Sequence, residues 1–177
     1  MTVCMEAEQQ RLEADTEQRL TVCFVCTGNT CRSPMAAAVA NALAQQLQGG
    51  EGSPRIVAFS AGLYAADGEC ISPRAVDALE AAGVPAVPGR DYHAHRAHTL
   101  TAEEAERADL LIGMSAGHCM ELLMRYPQAV SKIAGMPESI ADPYGGDGAV
   151  YAECLAQIVD GVKALLFSSY SDGEASV

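Results

Sequence analysis

Apolar positions along the chain form short continuous runs that alternate with stretches of helical spacing. The runs predict four buried strands, at residues 20–25, 55–60, 109–114 and 131–134. Between and after them, apolar residues recur every three or four positions, as on the inner face of a helix. This alternation predicts the α/β class: a single three-layer domain in which helices flank both faces of a four-stranded parallel sheet.

Turn and capping residues mark the expected bounds of the helices. Ser33-Pro34 predicts the start of the first helix, with Pro34 at its first position, and Gly49-Gly50 predicts its end. Its buried face would consist of Met35, Val39, Leu43 and Leu47. Further helices are predicted from Ser72-Pro73, from a capping box at Thr101–Glu104, from a cap at Ser115, and after Gly148.

The ends of the chain differ in composition from its middle. Residues 1–19 are polar and rich in carboxylates, without the apolar stretch of a secretory signal, so we expect a frayed or disordered extension. Residues 168–177 are expected to form a polar tail. The domain is therefore predicted at residues 20–167.

Charge and cysteine content limit the possible partners and the compartment. The net charge of −12 disfavours nucleic acid and anionic membranes as partners, and no segment is long and apolar enough to span a bilayer. A local anion site remains possible, because backbone amides and one arginine outweigh distant carboxylates. The chain has seven cysteines, an odd number at irregular spacings, which favours a reducing cytoplasm over a disulfide scaffold.

Candidate chemistry begins where the first predicted strand ends on Cys26. The following loop contains Gly28 and Asn29, residue types that tolerate positive φ, so its amides can curl into a nest for a tetrahedral anion. Cys26 would lie at the floor, where these donors and Arg32 favour a thiolate. Arg32 offers a planar fork to two phosphate oxygens, and Ser33 can donate to the sulfur. The phosphate-binding loop is predicted to comprise Thr27, Gly28, Asn29, Thr30, Cys31 and Ser33.

Less specific interpretations of these residues exist. A cysteine and an arginine six positions apart often occur by coincidence, without any function. A Walker-type nucleotide loop is excluded, because no Gly-Lys-Ser/Thr follows. Cys23 has CxxC spacing to Cys26, yet it lies within the strand and is expected in the core. Phosphate chemistry also needs a proton donor, for which Asp142, before a proline, is the candidate; the alternative is a plain Asp-Pro turn.

Taken together, "CTGNTCRS" after a strand and the distant "DPY" resemble the low-molecular-weight protein tyrosine phosphatases, whose signature is C-x4-C-R-S/T. The resemblance covers residues 20–166 and includes "SAG" at 60–62, "SPRA" at 72–75 and "ADLLIGM" at 108–114. It implies a nucleophile at Cys26, a phosphate clamp at Arg32, and a general acid and base at Asp142. It further implies a cysteinyl-phosphate intermediate without metal or cofactor. We expect a monomer that acts on phosphorylated proteins, with inorganic phosphate as product and inhibitor.

Other cysteines and the histidines have weaker assignments. Cys31 matches a loop cysteine of many members, which implies a redox partner that traps oxidised Cys26; the alternative is a buried spacer. His93, His95 and His98 have no usual zinc spacing, so we expect structural or surface roles. His118 is expected to face solvent or to cap a helix.

Two details bear on the substrate. Thr30 stands where the tyrosine-specific pattern has an aliphatic residue, and Tyr144 is followed by Gly145 where that pattern often has a second aromatic. Both resemble the protein-arginine phosphatase branch, with Thr30, Tyr64 and Tyr144 forming a substrate slot for a guanidinium. Phosphotyrosine is the alternative. A thiol-coupled arsenate reductase needs two further cysteines close together, and here Met114 and Cys119 occupy that stretch.

Overall fold

A computed structural model of the chain describes residues 19–47 and 55–168. The Gly49-Gly50 helix stop lies outside the described residues. So do the predicted N-terminal extension apart from Arg19 and the polar tail apart from Ser168.

Four parallel strands form one sheet, which confirms the predicted architecture. In spatial order they are β2 (Ile56–Gly62), β1 (Leu20–Cys26), β3 (Leu110–Gly113) and β4 (Ile133–Gly135). β4 begins at Ile133 rather than at Ser131, because Pro127–Lys132 forms a 3-10 helix. The Lys132 ammonium fixes the end of this turn by donating to the carbonyl oxygens of Ala105, at 3.3 Å, and Ala108, at 2.9 Å.

The α-helices begin close to the predicted capping residues. They are α1 (Arg32–Gln46), α2 (Pro73–Ala81), α3 (Ala102–Arg107), α4 (Ala116–Arg125) and α5 (Gly148–Leu166). The capping box at Thr101 and Glu104 is present, and the Ser115 hydroxyl accepts the backbone N–H of His118 at the start of α4. These contacts satisfy backbone donors that have no partner within the helix.

Helix α1 differs from its prediction in two respects. It begins at Arg32, with Cys31 at the capping position, so Pro34 lies at the third helical position and not the first. Its predicted single apolar face is also wrong, because every residue from Arg32 to Ala44 is buried. The small alanine side chains let α5 and the strands β1 and β2 pack against different sides of this helix.

Side chains of β1 divide the interior into two cores. Val22, Phe24 and Cys26 belong to the core that contains α1, α2 and α5, whereas Cys23 and Val25 belong to the core beneath α3 and α4. The sheet is therefore the middle of three layers. Cys26 ends the central strand at the carboxyl edge of the sheet, which is where ligands bind in such folds.

Candidate active site

The loop after β1 wraps its polar groups around the Cys26 sulfur. Cys26 is 3% exposed, the Asn29 N–H donates to its Sγ over 3.3 Å, and the Ser33 Oγ lies 2.9 Å away. The Asn29 N–H thus donates to the sulfur from within the loop, and between Cys26 and Ser33 either side chain can supply the hydrogen.

Asn29 is the internal brace of the loop. Its φ is 58°, and among the described residues it is the one non-glycine residue with a positive φ. The Asn29 side chain donates to Ser33 Oγ at 3.0 Å and to Ser60 Oγ at 2.9 Å, and its Oδ1 accepts from the His98 N–H at 3.1 Å. These bonds tie β2, α1 and the loop before α3 to one strained residue, so they hold the nest in shape.

Close approach of the β2 end to the loop depends on Gly62. A Cβ atom at this position would lie 2.7 Å from the Thr27 carbonyl oxygen and 3.2 Å from the Asn29 Cβ. The chain beyond Gly62 then follows the loop, since the Leu63 and Tyr64 N–H groups donate to the carbonyl oxygens of Cys26 and Thr27, each at 2.9 Å.

Arg32 and Asp142, separated in sequence, meet at the mouth of the loop. The Arg32 side chain is 9% exposed and donates to Asp142 Oδ2 at 3.0 Å and to the Ile140 carbonyl at 3.2 Å. The Asp142 side chain is 55% exposed. Its Oδ1 accepts from the Tyr144 N–H at 3.2 Å, which fixes the local turn in the acid loop, residues 141–146.

The predicted slot residues lie around this mouth. Thr30 is partly exposed, and its carbonyl oxygen accepts from the Ser72 N–H at 2.8 Å. Tyr64 is 63% exposed, with the Arg125 guanidinium 4.3 Å above its ring and its hydroxyl donating to Glu121. Tyr144 is 81% exposed. Tyr64 is therefore held by a cation–π contact and a hydrogen bond, while the Tyr144 ring extends into solvent.

The cysteines outside the nucleophile position have distinct surroundings. Cys31 is buried, with its Sγ 3.2 Å from the Tyr151 hydroxyl of α5. Burial raises the pKa of Cys154 to about 12 and raises the pKa of Cys23 well above its ordinary value. Neutral thiols at these positions behave as apolar core residues, which for Cys23 agrees with its expected place in the core.

Three histidines support the loop: a structural role was one of the expectations for His95 and His98, whereas the contact of His118 with the loop was not expected. The His95 Nε2 lies 2.8 Å from the Asn29 carbonyl oxygen, which can only accept, so Nε2 carries the hydrogen. The backbone of His98 binds Asn29, as described above. Of the two expectations for His118, solvent exposure is wrong, because it is 7% exposed; its Nδ1 lies 2.8 Å from the Oγ of Ser115, the capping residue of α4, and its Nε2 lies 3.0 Å from the Thr27 Oγ1. Burial lowers the pKa of both His95 and His118.

The remaining expectations concern metals and membranes. Within residues 19–47 and 55–168, no three His, Cys, Asp or Glu side chains come together as a metal site. In the same part of the chain, no helix is long and apolar enough to cross a membrane.

The first strand of the parallel sheet thus leads into a loop that begins at Cys26 and ends at Arg32, the first residue of α1. The profile of the family described as low molecular weight phosphotyrosine protein phosphatase matches residues 21–174. The chain belongs to this family and is a low-molecular-weight, cysteine-based protein phosphatase.

The relatives that resemble the chain include proteins named as arginine phosphatases and proteins named as tyrosine phosphatases. The protein-arginine-phosphatase of Geobacillus stearothermophilus is 38% identical over 137 residues, covering 73% of this chain and 82% of the relative. The probable low molecular weight protein-tyrosine-phosphatase EpsP of Ralstonia nicotianae is 34% identical over 148 residues, covering 81% and 92%. The solved structure of the YwlE arginine phosphatase from Geobacillus stearothermophilus superposes with a TM-score of 0.72 at 32% identity, covering 86% of this chain and 94% of that one.

Proposed function

We propose that this protein hydrolyses phosphoarginine on proteins through a cysteinyl-phosphate intermediate at Cys26. The observation that carries the substrate class is Thr30, a partly exposed residue of the nest whose Oγ1 lies 3.7 Å from the Cys31 Sγ. A hydroxyl can accept a hydrogen bond from a guanidinium, which carries only donors. The similarity to an arginine phosphatase at 38% identity supports the same substrate.

In the first step, the Cys26 thiolate attacks phosphorus in line with the leaving group. The Asn29 N–H and Ser33 hydroxyl stabilise the sulfur beforehand, and Arg32 turns its fork from Asp142 and the Ile140 carbonyl to two phosphate oxygens. The P–N bond breaks while Asp142 gives its proton to the departing guanidine nitrogen. The chemistry of the nest is the same for a phenolic oxygen.

In the second step, water releases phosphate from Cys26. Asp142, now a carboxylate, takes a proton from the attacking water, and the S–P bond breaks to return the thiolate. Its partial exposure supports this role, because a carboxyl that is open to solvent can reach a water molecule. Inorganic phosphate is the product, and the free nest is expected to bind it as a competitive inhibitor.

Phosphotyrosine is the second candidate substrate. Tyr64 and Tyr144 present exposed rings at the mouth, and a phenyl ring stacks on them as well as a planar guanidinium does. The resemblance to a probable tyrosine phosphatase at 34% identity also supports this alternative. An arsenate reductase finds no support, since Cys119 lies in α4 with a pKa raised by burial and Met114 is a core residue.

Replacing Thr30 with Ile separates the two substrates. The change keeps β-branching and bulk but removes the hydroxyl, and a lost hydrogen bond in a desolvated slot costs about 1–3 kcal/mol. We expect the wild type to prefer phosphoarginine peptides, and Thr30→Ile to shift the ratio of kcat/KM towards phosphotyrosine by at least about tenfold. Thr21→Ile makes the same substitution at the far end of β1 and should leave the ratio unchanged. A wild type that prefers phosphotyrosine, or an unchanged ratio in Thr30→Ile, would contradict phosphoarginine as the substrate and favour a tyrosine phosphatase.

We also propose that Cys31 protects Cys26 from over-oxidation. Peroxide converts the Cys26 thiolate to a sulfenic acid, and attack by Cys31 then forms a disulfide with loss of water. Cys31 is a buried member of the same loop as the nest, which supports its access to Cys26 over that of external thiols. Dithiothreitol should restore activity to the peroxide-treated wild type but not to Cys31→Ser. Equal recovery of both proteins would make Cys31 a spacer.

The remaining assignments are also proposals. We propose that the protein works in the cytoplasm as a monomer on phosphorylated protein substrates, without a cofactor. Size-exclusion chromatography with light scattering tests the oligomeric state, since the measured mass of a dimer would be twice that of the chain.

A further inference from the structure

His118 is a buried titratable residue that the proposed mechanism does not use. It lies in the first turn of α4 and is 7% exposed. Its Nδ1 is 2.8 Å from the Ser115 Oγ, and its Nε2 is 3.0 Å from the Thr27 Oγ1. Both ring nitrogens therefore meet hydroxyl groups, which fixes the plane and the direction of the imidazole.

Thr27 is the outer member of this chain of contacts, which runs from Ser115 through His118 to Thr27. Its side chain is exposed, in contrast to Cys26 and Asn29 on either side of it in the loop. Its carbonyl oxygen accepts from the N–H of Tyr64, so Thr27 lies beside the wall of the slot that Tyr64 forms. The Thr27 hydroxyl is thus anchored to His118 from inside the protein, while Thr27 as a whole is exposed at the loop.

The protonated nitrogen of His118 decides what Thr27 offers to that ligand. In a neutral ring with hydrogen on Nδ1, this group donates to Ser115, and Nε2 accepts the Thr27 hydroxyl hydrogen. The lone pairs of the Thr27 oxygen then remain for the ligand. With hydrogen on Nε2, the Thr27 oxygen accepts from the ring and offers its own hydrogen instead.

The surroundings of His118 favour a neutral ring. Burial lowers its pKa first, and the Arg32 guanidinium of α1 lowers it further. Asp142 of the acid loop and Glu121 of α4 act in the opposite direction but do not reverse the shift. At neutral pH one ring nitrogen is therefore free to accept.

We propose that His118 is a positioning residue which, as the Nδ1–H tautomer, turns the Thr27 hydroxyl into a hydrogen-bond acceptor for the guanidinium of phosphoarginine. The inference rests on the proposed function. A guanidinium carries only N–H donors, so an oriented acceptor at the rim is complementary to it, whereas the phenyl ring of phosphotyrosine has no hydrogen to give there. Thr27 would thus be a second specificity residue beside Thr30.

The tautomer is tested first, by nitrogen-15 NMR of the imidazole groups in the full-length, uniformly labelled chain at neutral pH. We expect a protonated Nδ1 and an unprotonated Nε2 at His118. A hydrogen on Nε2, or a doubly protonated ring, overturns the proposal. The resonances are assigned by comparison with His118→Gln, and His93→Gln serves as the control for an exposed histidine.

The role of the acceptor is tested by substitutions at Thr27. Thr27→Val keeps the shape and removes the hydroxyl, so the kcat/KM ratio of phosphoarginine to phosphotyrosine peptides should fall about tenfold, the effect of one lost hydrogen bond. Thr27→Ser restores the hydroxyl and should restore the ratio, which a merely structural role of the methyl group would not produce. His93→Gln, at an exposed position, should leave the ratio as in the wild type.

The possible failures can be told apart. A wild type that prefers phosphoarginine, combined with an unchanged ratio in Thr27→Val, overturns the His118 inference and leaves the proposed function intact. A wild type that prefers phosphotyrosine overturns both. A fallen ratio in Thr27→Val that Thr27→Ser does not restore also overturns the inference, because the hydroxyl is then not the cause.

Discussion

The phosphate-binding loop and the acid loop serve the same slot but are held in different ways. In the first, Cys26, Asn29 and Ser33 are almost fully buried and bind one another. In the second, Asp142 is 55% exposed and is held by its bonds to Arg32 and to the Tyr144 N–H. Buried hydrogen-bond networks are costly to break, whereas the exposed carboxylate of Asp142 can exchange its buried partner Arg32 for water.

This difference matches the tasks that we propose for the two loops. The nest must keep its donors fixed while charge develops on phosphorus, so its rigidity lowers the cost of reorganisation. Asp142 has to give a proton, take one back and let Arg32 bind phosphate instead. A weakly held carboxylate is suited to these changes of partner. The following predictions test this division, beginning with the largest expected effect.

Cys26→Ser should abolish turnover and keep anion binding. The hydroxyl is a far weaker nucleophile, but the amides and Arg32 remain in place, so activity should fall to less than about a hundredth. Turnover of an aryl phosphate and calorimetric titration with phosphate measure the two properties separately. Cys70→Ser, at an exposed cysteine, is the matched control and should retain activity. Loss of phosphate binding in Cys26→Ser would mean that the nest depends on the sulfur.

Asp142→Asn should slow reactions according to their leaving group. Poor leaving groups need protonation, so we expect a loss of about 10²- to 10⁴-fold with them and a much smaller loss with an activated phenol. A series of aryl phosphates of graded leaving-group acidity measures the dependence. Asp160→Asn makes the same change on the exposed surface of α5 and should have no effect. A uniform loss across the series would make Asp142 a structural residue.

Asn29→Gly should loosen the nest without blocking its backbone conformation. Glycine accepts the positive φ, so the change removes only side-chain hydrogen bonds and should cost about 1–3 kcal/mol of unfolding free energy. The affinity for phosphate should fall with it. Asn41→Ala is the matched control, because Asn41 makes two buried bonds of 2.9 Å to Ala58, away from the loop. Asn41→Ala should lower the free energy of unfolding by a similar amount and leave the affinity for phosphate unchanged. Equal phosphate affinities in both variants would contradict the bracing role of Asn29.

Sequence alone predicted the parts of the molecule that depend on local pattern. The strand that ends on Cys26, the turn chemistry of Gly28 and Asn29, and the capping box at Thr101 are short-range features, and the structure has β1 and the capping box where they were expected. The α/β layers followed from the alternation of strands and helices.

Contacts between distant segments could not be predicted in this way. His118 and Thr27 are separated by 91 positions, and His98 and Asn29 by 69. No local pattern encodes such pairs, and a lone histidine is more often a surface residue. The burial of α1 on all sides was missed for a related reason: the spacing of Met35, Val39 and Leu43 predicts one buried face but does not reveal how many neighbours cover the alanines between them.

The smallest effects are expected from the histidines, in the pH dependence of stability. Burial lowers the pKa of His95 and His118 beneath the phosphate-binding loop, whereas hydrogen bonds to Glu80 and then to Asp91 raise the pKa of exposed His93. Just below pH 6.5, the usual histidine value, the unfolded chain binds more protons at the two buried rings than the folded chain does. Their contribution to stability therefore grows as the pH rises to about 6.5.

His93 should act with the opposite sign. Its contribution is fully present below about pH 6.5 and is lost as the pH rises through its higher folded-state pKa. We therefore expect His118→Gln to flatten the rise of unfolding free energy between about pH 5 and 6.5, and His93→Gln to remove a decline above about pH 6.5. Urea unfolding at a series of pH values measures both slopes. If His118→Gln leaves the slope of unfolding free energy between about pH 5 and 6.5 unchanged, the His118 ring is not held neutral beneath the phosphate-binding loop. In that case the evidence that this loop is more rigid than the acid loop would come from Asn29 and not from His118.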